Sequence, residues 1–411
     1  MNFEFFVARR VVASKDHKSS ISAPIIKIAI AAIALGMVIM LVSVATGVGL
    51  QKKIHEKVSA FNGDIIISNY DNNFSADSQV PISSDQSFYP QFTEVEGIEH
   101  IQATASKGGV IRTATDFEGV VVKGVGKDYR WQYFEEYLVA GRVPDYSGKL
   151  DEEILISRYL ADRLGFALGD KVVCFFLREG EQKRTRSRGF TIVGIYNSGF
   201  QQFDEQYLLA DIRHIQRLNG WEENQVGSFE LFVSDFDAIS ETGQAVYNSI
   251  GSTLDAQTIR DKYYVIFEWL DLFDFNIALI IGIMILIAGI NMTTALLVLI
   301  LERTQMIGML KALGSTDWSV RKIFLYNAAH IIFRGLLWGN GIGLAILAIQ
   351  KYAPVIKLDS DTYYVNVAPI YMDMSFILIL NIGTLLLCLA LLLVPSYLIT
   401  RIAPVKAIRF E

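Results

Sequence analysis

Four apolar runs govern what this chain can fold into. They lie at Ile25–Leu50, Phe275–Leu301, Leu325–Gln350 and Ser375–Thr400, and each exceeds the roughly 20 residues an α-helix needs to cross a bilayer. Hydrocarbon offers no water to backbone N–H and C=O groups, so a spanning segment must satisfy them internally, as a helix does. The expected fold is an α-helical membrane protein of four transmembrane helices (25–50, 275–301, 325–350, 375–400). A large α+β extracytoplasmic domain, of one or two lobes, fills 51–274 between helices 1 and 2. The remaining pieces are a cytoplasmic interfacial helix at 1–24, a loop at 302–324, a short outer loop at 351–374 and a tail at 401–411. A hydrophobic content of 52% and a mean hydropathy of +0.33 fit such a division.

Charge orients the spans. Residues 52–274 carry 22 Lys+Arg against 35 Asp+Glu, whereas Arg9, Arg10, Lys15, Lys18, Lys27, Arg303, Lys311, Arg321, Lys322, Arg401, Lys406 and Arg409 flank the other ends. Basic residues stay on the cytoplasmic side, which puts both termini and the 302–324 loop there and the acidic domain outside. Span 1 follows basic residues as a signal peptide's core would, but at about 24 residues it exceeds the usual 7–15 and is expected to remain as an anchor. Phe3, Phe5, Phe6, Val7 and Val11 beside Arg9 and Arg10 suit a helix lying in the interface, against the alternative of a basic tail. A turn is expected at Lys15–Ser20. Cys174 and Cys388 lie in different compartments and cannot pair.

Within the domain, DIIIS at Asp64–Ser68, GVVVKGV at Gly119–Val125 and GFTIVGIY at Gly189–Tyr196 have the β-branched composition of strands. EILISRYLADRLGFALGDKVVCFF reads strand, helix, turn, strand. Leu208, Ile212, Ile215 and Leu218 share one face of an expected helix in LLADIRHIQRLNG. Asp71–Ser87 is polar and reads as a loop. YVIFEWLDLFDFN leads into span 2 with Trp269, Phe273 and Phe275 at helical spacing, and Glu302-Arg303 follow it directly, so one long helix extending out of the membrane at both ends is expected.

Catalytic constellations are missing from the sequence. It has no GxxxxGK[ST], HExxH, CxxC or GxSxG, and its five histidines (His17, His55, His100, His214, His330) have no metal-ligand spacing. An acidic outer domain does not suit nucleic acid. Within span 3, His330 and Arg334 are costly in lipid and are intramembrane functional candidates, with snorkelling of Arg334 as the alternative. Asn291, Asn340 and Asn381 are placed to bridge helices. Small residues of span 1 (Ala29, Ala31, Ala32, Ala34, Gly36) fit close helix packing or the wall of an apolar shelter.

The 302–324 loop carries a helix of its own. Met306, Met309, Leu310 and Leu313 recur at i, i+3, i+4 and i+7, forming one stripe. Gly314 stands where a helix C-terminus takes a left-handed residue, and Ser315, Thr316 and Asp317 can cap the next helix. Lys311 suits the negative end of the first helix's dipole. Such a helix either packs on headgroups or docks in a partner's groove, where methionines adapt to the surface they meet.

ERTQMIGMLKALGSTDWSVRKIFL resembles the ERxxEIGxLKAxGAS…IxxxF signature of ABC-transporter permeases of the FtsX/MacB family, with Gln305 in place of an acidic residue. FFVARR…PIIKIAIAAIALGMVIMLVSVATGVG, the domain segments EEILISRYLADRLGFALGDKV and FTIVGIYNSGFQQFDEQYLLADIRHIQRLNG, and the terminal RIAPVKAIRFE are similar, in order, to the LolC/LolE lipoprotein-releasing branch. The resemblance implies a non-catalytic permease of the bacterial inner membrane, its large domain periplasmic and of the MacB-like core type. ATP would be used by mechanotransmission to release lipoproteins. It also implies a separate ABC ATPase dimer that binds ATP and Mg, so this chain carries no cofactor. A second permease, identical or related, and a lipoprotein substrate complete the partners, with a periplasmic chaperone as a further candidate. On this resemblance Glu302, Arg303, Met306, Ile307, Met309, Leu310, Lys311, Leu313 and Gly314 form the ATPase-coupling segment. Other branches of the family imply other tasks: MacB-like efflux or export, or FtsX-like regulation of a periplasmic cell-wall hydrolase.

Overall fold

The computed structural model describes residues 3–13, 22–72, 79–176 and 186–402. The turn expected at 15–20, residues 177–185 and most of the RIAPVKAIRFE tail lie outside them. The chain divides into two compact units, one of Met1–Gln51, Leu270–Lys357 and Ala368–Glu411, the other of Lys52–Trp269 and Leu358–Val367.

The first unit is helical. Among the described residues four helices are long and apolar enough to cross a membrane: Ser22–Asn62, Tyr264–Glu302, Asp317–Tyr352 and Met374–Ser396. The first two are longer than their apolar runs because polar but helix-compatible sequence continues each run into the α/β unit without a Gly or Pro stop. At its other end the second helix stops at Glu302, and Arg303 leaves helical geometry at φ −104°, ψ 20°. The extension expected beyond Glu302-Arg303 is therefore not made.

The third helix packs against the first along a glycine ridge. A Cβ at Gly339 would lie 2.6 Å from Met37 Cβ and 2.8 Å from the Ala34 carbonyl oxygen. One at Gly335 would lie 2.7 Å from Ile33 Cβ, and one at Gly343 3.0 Å from Leu41 Cδ1. Three glycines at i, i+4 and i+8 form one face and let two backbones meet, which suits membranes, where packing rather than hydrophobicity holds helices together. Ala29 and Ala34 are buried in the same core, and Gly36 lies against Met284 of the second helix. These small residues of span 1 therefore serve packing within the chain, while Ala31 stays exposed.

Of the expected asparagine bridges, one forms. Asn340 Nδ2 donates to Asn381 Oδ1 at 2.7 Å, and Asn381 Nδ2 donates back to Asn340 Oδ1 at 3.0 Å, joining the third helix to the fourth. Asn381→Leu should lower the thermal stability of the detergent-solubilised protein by about 1 kcal/mol, the scale of interhelical hydrogen bonds in membranes. Adding Asn340→Leu should cost less than a second such step, because the partner it removes is already orphaned.

The chain also forms a helix at Phe3–Ala13, where Glu4 accepts a hydrogen bond from Ser319 Oγ at 3.0 Å and Phe5 meets Tyr326 edge-on at 5.9 Å. Ala8 is buried there, while Phe3, Phe5 and Phe6 are exposed.

The second unit is built on one ten-stranded mixed sheet rather than two lobes. Its order is Leu254–Thr258, Ile65–Asn69, Ser228–Val233, Ile98–Arg112, Phe117–Val125, Tyr207–Asp211, Glu153–Ser157, Arg186–Tyr196 and Leu138–Gly141. Lys171–Phe176 pairs with both Ile98–Arg112 and Arg186–Tyr196. The expected helix through Leu208 begins only at Ile212. Leu208 and Leu209 are strand residues paired in parallel with Val122 and Lys123. Asp211 then caps the helix by accepting from the Arg213 amide at 3.0 Å.

The largest buried charges inside this unit are paired, while Tyr137 OH and His214 Nδ1 are buried without a partner. Lys123 and Glu230 meet at 2.6 Å with side chains 2% and 7% exposed. Lys123 also donates to the Phe61 carbonyl at 2.5 Å, and Glu230 accepts from Gln102 Nε2 at 2.8 Å. Burial pushes the Lys123 pKa down, and the Glu230 carboxylate opposes that shift. Segment 358–367, part of the loop between the third and fourth membrane helices, belongs to this unit: Tyr364 stacks on Phe200 at 4.6 Å and its carbonyl accepts from Lys57 Nζ at 3.0 Å.

Candidate functional site

The loop between the second and third membrane helices folds as its sequence indicates. Thr304–Ala312 is a helix, entered at Thr304, whose Oγ1 bonds the Leu301 and Ile300 carbonyls at 2.7 and 3.2 Å. It ends in a Schellman arrangement: Ser315 N–H donates to the Leu310 carbonyl and Gly314 N–H to that of Lys311, both at 3.0 Å. Gly314 takes φ +93°, which glycine reaches without strain. Thr316, of the three candidate caps, accepts from the Ser319 amide at 3.2 Å and starts the third membrane helix.

The apolar stripe divides. Ile307 is fully buried, and Met306 and Leu310 pack partly buried on the membrane-helix core. Met309 and Leu313 are 54% and 84% exposed. At about 100° per residue, Ile307 and Leu310 bracket the inward direction, while Met309 and Leu313 lie at the far edge of the arc. The four-residue stripe thus does not face outward as a whole. Glu302 and Gln305 are exposed and Arg303 half-buried.

Lys311 turns inward. Its side chain is 9% exposed, and Nζ lies 2.7 Å from Asp317 Oδ1. It also donates to the carbonyls of Ile399, Thr400 and Ile402. No local sequence signal pointed to partners about ninety positions away. Arg321 was likewise read only as a topology charge, yet it donates to Ser396 Oγ at 3.1 Å and to the Leu393 carbonyl at 3.0 Å. The Arg321 guanidinium stacks over Trp318 at 5.2 Å.

The intramembrane candidates stand apart from this loop. His330 and Arg334 lie one turn from each other and, for His330, about 20 Å along the helix from Thr316. Arg334 is exposed, and His330 Nε2 is buried without a hydrogen-bond partner. Among the described residues no group of His, Cys, Asp or Glu is arranged to hold a metal.

Family comparison decides what such a loop belongs to. A model described as FtsX-like permease C-terminal matches residues 278–404, and one described as MacB-like periplasmic core domain matches residues 28–246, more than half of the chain. This chain belongs to the FtsX/MacB permease family. Among FtsX/MacB permeases, the lipoprotein-releasing system transmembrane protein LolC of Neisseria meningitidis serogroup B is 24% identical over 433 residues, covering all of both chains. The corresponding LolE of Haemophilus influenzae is 20% identical over 99% of each. The crystal structure of the periplasmic region of MacB from Actinobacillus actinomycetemcomitans aligns with 49% of this chain and 91% of its own length, at 13% identity and a TM-score of 0.33. The resemblance read from the loop, the start of the chain and the domain segments thus holds. As an FtsX/MacB permease with four membrane-spanning helices, the protein is an inner-membrane protein of a family of ABC-transporter permease subunits.

Proposed function

We propose that this chain is the permease subunit of an ABC assembly that releases lipoproteins from the inner membrane, powered by a separate ATPase. The observation that carries this is the correspondence with LolC from end to end, through both units, rather than over one shared domain. Two copies of the ATPase, with ATP and Mg, would engage two permeases, identical or related. The large domain would stand in the periplasm and both termini in the cytoplasm, as the charge distribution supports. Moving acyl chains out of a bilayer costs about 0.8 kcal/mol per CH₂. Two or three chains therefore demand an external energy source, and this chain's sequence has no phosphate-binding loop to supply it.

The docking face proposed for the ATPase is the exposed edge of Thr304–Ala312 and its C-cap, centred on Met309 and Leu313. Ile307, Met306 and Leu310 hold that helix against the membrane core and so present the edge in a fixed orientation. Met309→Asp with Leu313→Asp should reduce ATPase co-purification by at least about tenfold, since burying each side chain is worth about 1.5–3 kcal/mol. Neither side chain supports the core, so yield and thermal stability should hold. Undiminished co-purification would place docking elsewhere.

Lipoprotein release from spheroplasts depleted of this permease tests the task itself. Release should fall as the chain is lost. Normal release with altered drug or toxin export would instead support a MacB-like role, for which the match over residues 28–246 speaks.

A further inference from the structure

The short helix is fastened at two kinds of contact that differ in direction. Ile307, Met306 and Leu310 make apolar contacts, which hold it down but resist sliding weakly. Lys311 makes directed ones. Its Nζ lies 2.7 Å from the Ile399 carbonyl, 3.1 Å from that of Ile402, 3.4 Å from that of Thr400 and 2.7 Å from Asp317 Oδ1. Ile399 and Thr400 belong to the last turn of the fourth membrane helix, which tightens at Tyr397–Arg401, and Ile402 is its C-cap. Carbonyls at a helix C-terminus carry the negative end of its dipole and are short of intrahelical donors, although that of Ile399 also accepts from the Ile402 N–H at 3.3 Å. An ammonium with three N–H groups matches such a cluster. A lysine that only needed to stay soluble would keep its freedom in water; this one is ordered and almost wholly enclosed.

We infer that Lys311 is a positioning residue for energy coupling, locking the docking helix to the terminal turn of the fourth membrane helix so that displacing one carries the other. The inference rests on the docking function proposed above. It adds a route: force received at Met309 and Leu313 passes through the Lys311 ammonium into the fourth helix, in parallel with the covalent path into the third. Asp317 holds the ammonium from the other side, and the Gly314 turn brings Asp317 to that position.

The test uses the complete permease–ATPase complex in lipid nanodiscs with Lys311→Met, which keeps the apolar stem and removes the donors. Co-purification of the ATPase and ATP hydrolysis should stay near wild type. Lipoprotein released per ATP should fall about tenfold or more. Hydrogen exchange should show the division directly. In the wild type, ATP should change protection at both 304–312 and 397–402; in Lys311→Met the response at 304–312 should persist and that at 397–402 disappear. Lys311→Arg, which can still reach carbonyls with a cation, should recover part of both readouts. An unchanged release-to-hydrolysis ratio, or a surviving response at 397–402, would overturn the lock. So would loss of the ATPase matching that of the Met309/Leu313 variant, since Lys311 would then support docking rather than transmission. A wild-type chain that binds no ATPase would overturn the docking function first, before any substitution is made.

Discussion

Gly339→Leu is expected to prevent the first and third membrane helices from packing, with loss of folded protein from detergent extracts. A Cβ at this position would sit 2.6 Å from Met37 Cβ, 2.8 Å from the Ala34 oxygen and 3.1 Å from Ala34 Cα. Two of those atoms are backbone, so no rotamer change relieves the contact. Either the helices separate, stripping Ile33, Met37 and Leu41 of their partners, or the strain stays. Overpacking of ordinary cores costs about 1–3 kcal/mol, and a leucine forced onto a helix backbone belongs at or above the top of that range. Gly339→Ala should already lower thermal stability measurably. Gly341→Ala is the matched control, because a Cβ there meets nothing within 4 Å, and it should be neutral. Size-exclusion profiles and melting of the three variants give the comparison; equal behaviour of Gly339→Ala and Gly341→Ala would refute the ridge.

The second large effect is expected in the α/β unit. Lys123→Met should destabilise it by about 3–5 kcal/mol, the scale for breaking a buried ion pair by removing one partner. The substitution keeps the apolar stem, but it leaves the Glu230 carboxylate, 7% exposed, without its ion-pair partner, on the neutral donors Gln102 and Thr104 and the field of Lys262. The Phe61 carbonyl loses its donor as well. Adding Glu230→Leu should recover part of the loss, since apolar replacement of a whole pair is often tolerated. Recovery should be incomplete, because Gln102 and Phe61 still lack partners. Thermal unfolding of the purified full-length single and double variants measures the coupling. Additive effects would mean that the two side chains do not act as a pair.

Much of this architecture is legible in the sequence because it is local. The four spans follow from run length, and the strands near 65–69, 117–125 and 186–196 from β-branched residues. The end of the Thr304–Ala312 helix follows from Gly314 and the start of the next from Thr316. What stays hidden is what depends on distant partners or on weak local patterns. The sheet's longest strand, Ile98–Arg112, carries Ala103, Ala105, Gly108 and Gly109, residues depleted in strands that do not advertise one. The inward face of Thr304–Ala312 is set by the helices beneath it. Periodicity therefore found a stripe and left Ile307, its most buried member, outside it. Lys311 and Lys123 look like ordinary surface charges until the chain brings Ile399 and Glu230 to them.

The reciprocal Asn340–Asn381 amides act on the fourth helix as a detent. Each side chain gives one N–H and takes one, so the pair is satisfied at a single axial setting and loses both bonds together when it is left. No water stands by in hydrocarbon to fill in for partial displacement. Arg321, bonded to Ser396 and the Leu393 carbonyl, ties the same two helices at a second level, so they cannot creep past one another. A pull arriving at Tyr397–Arg401 would reach the third helix through Arg321 before it reached the amide pair.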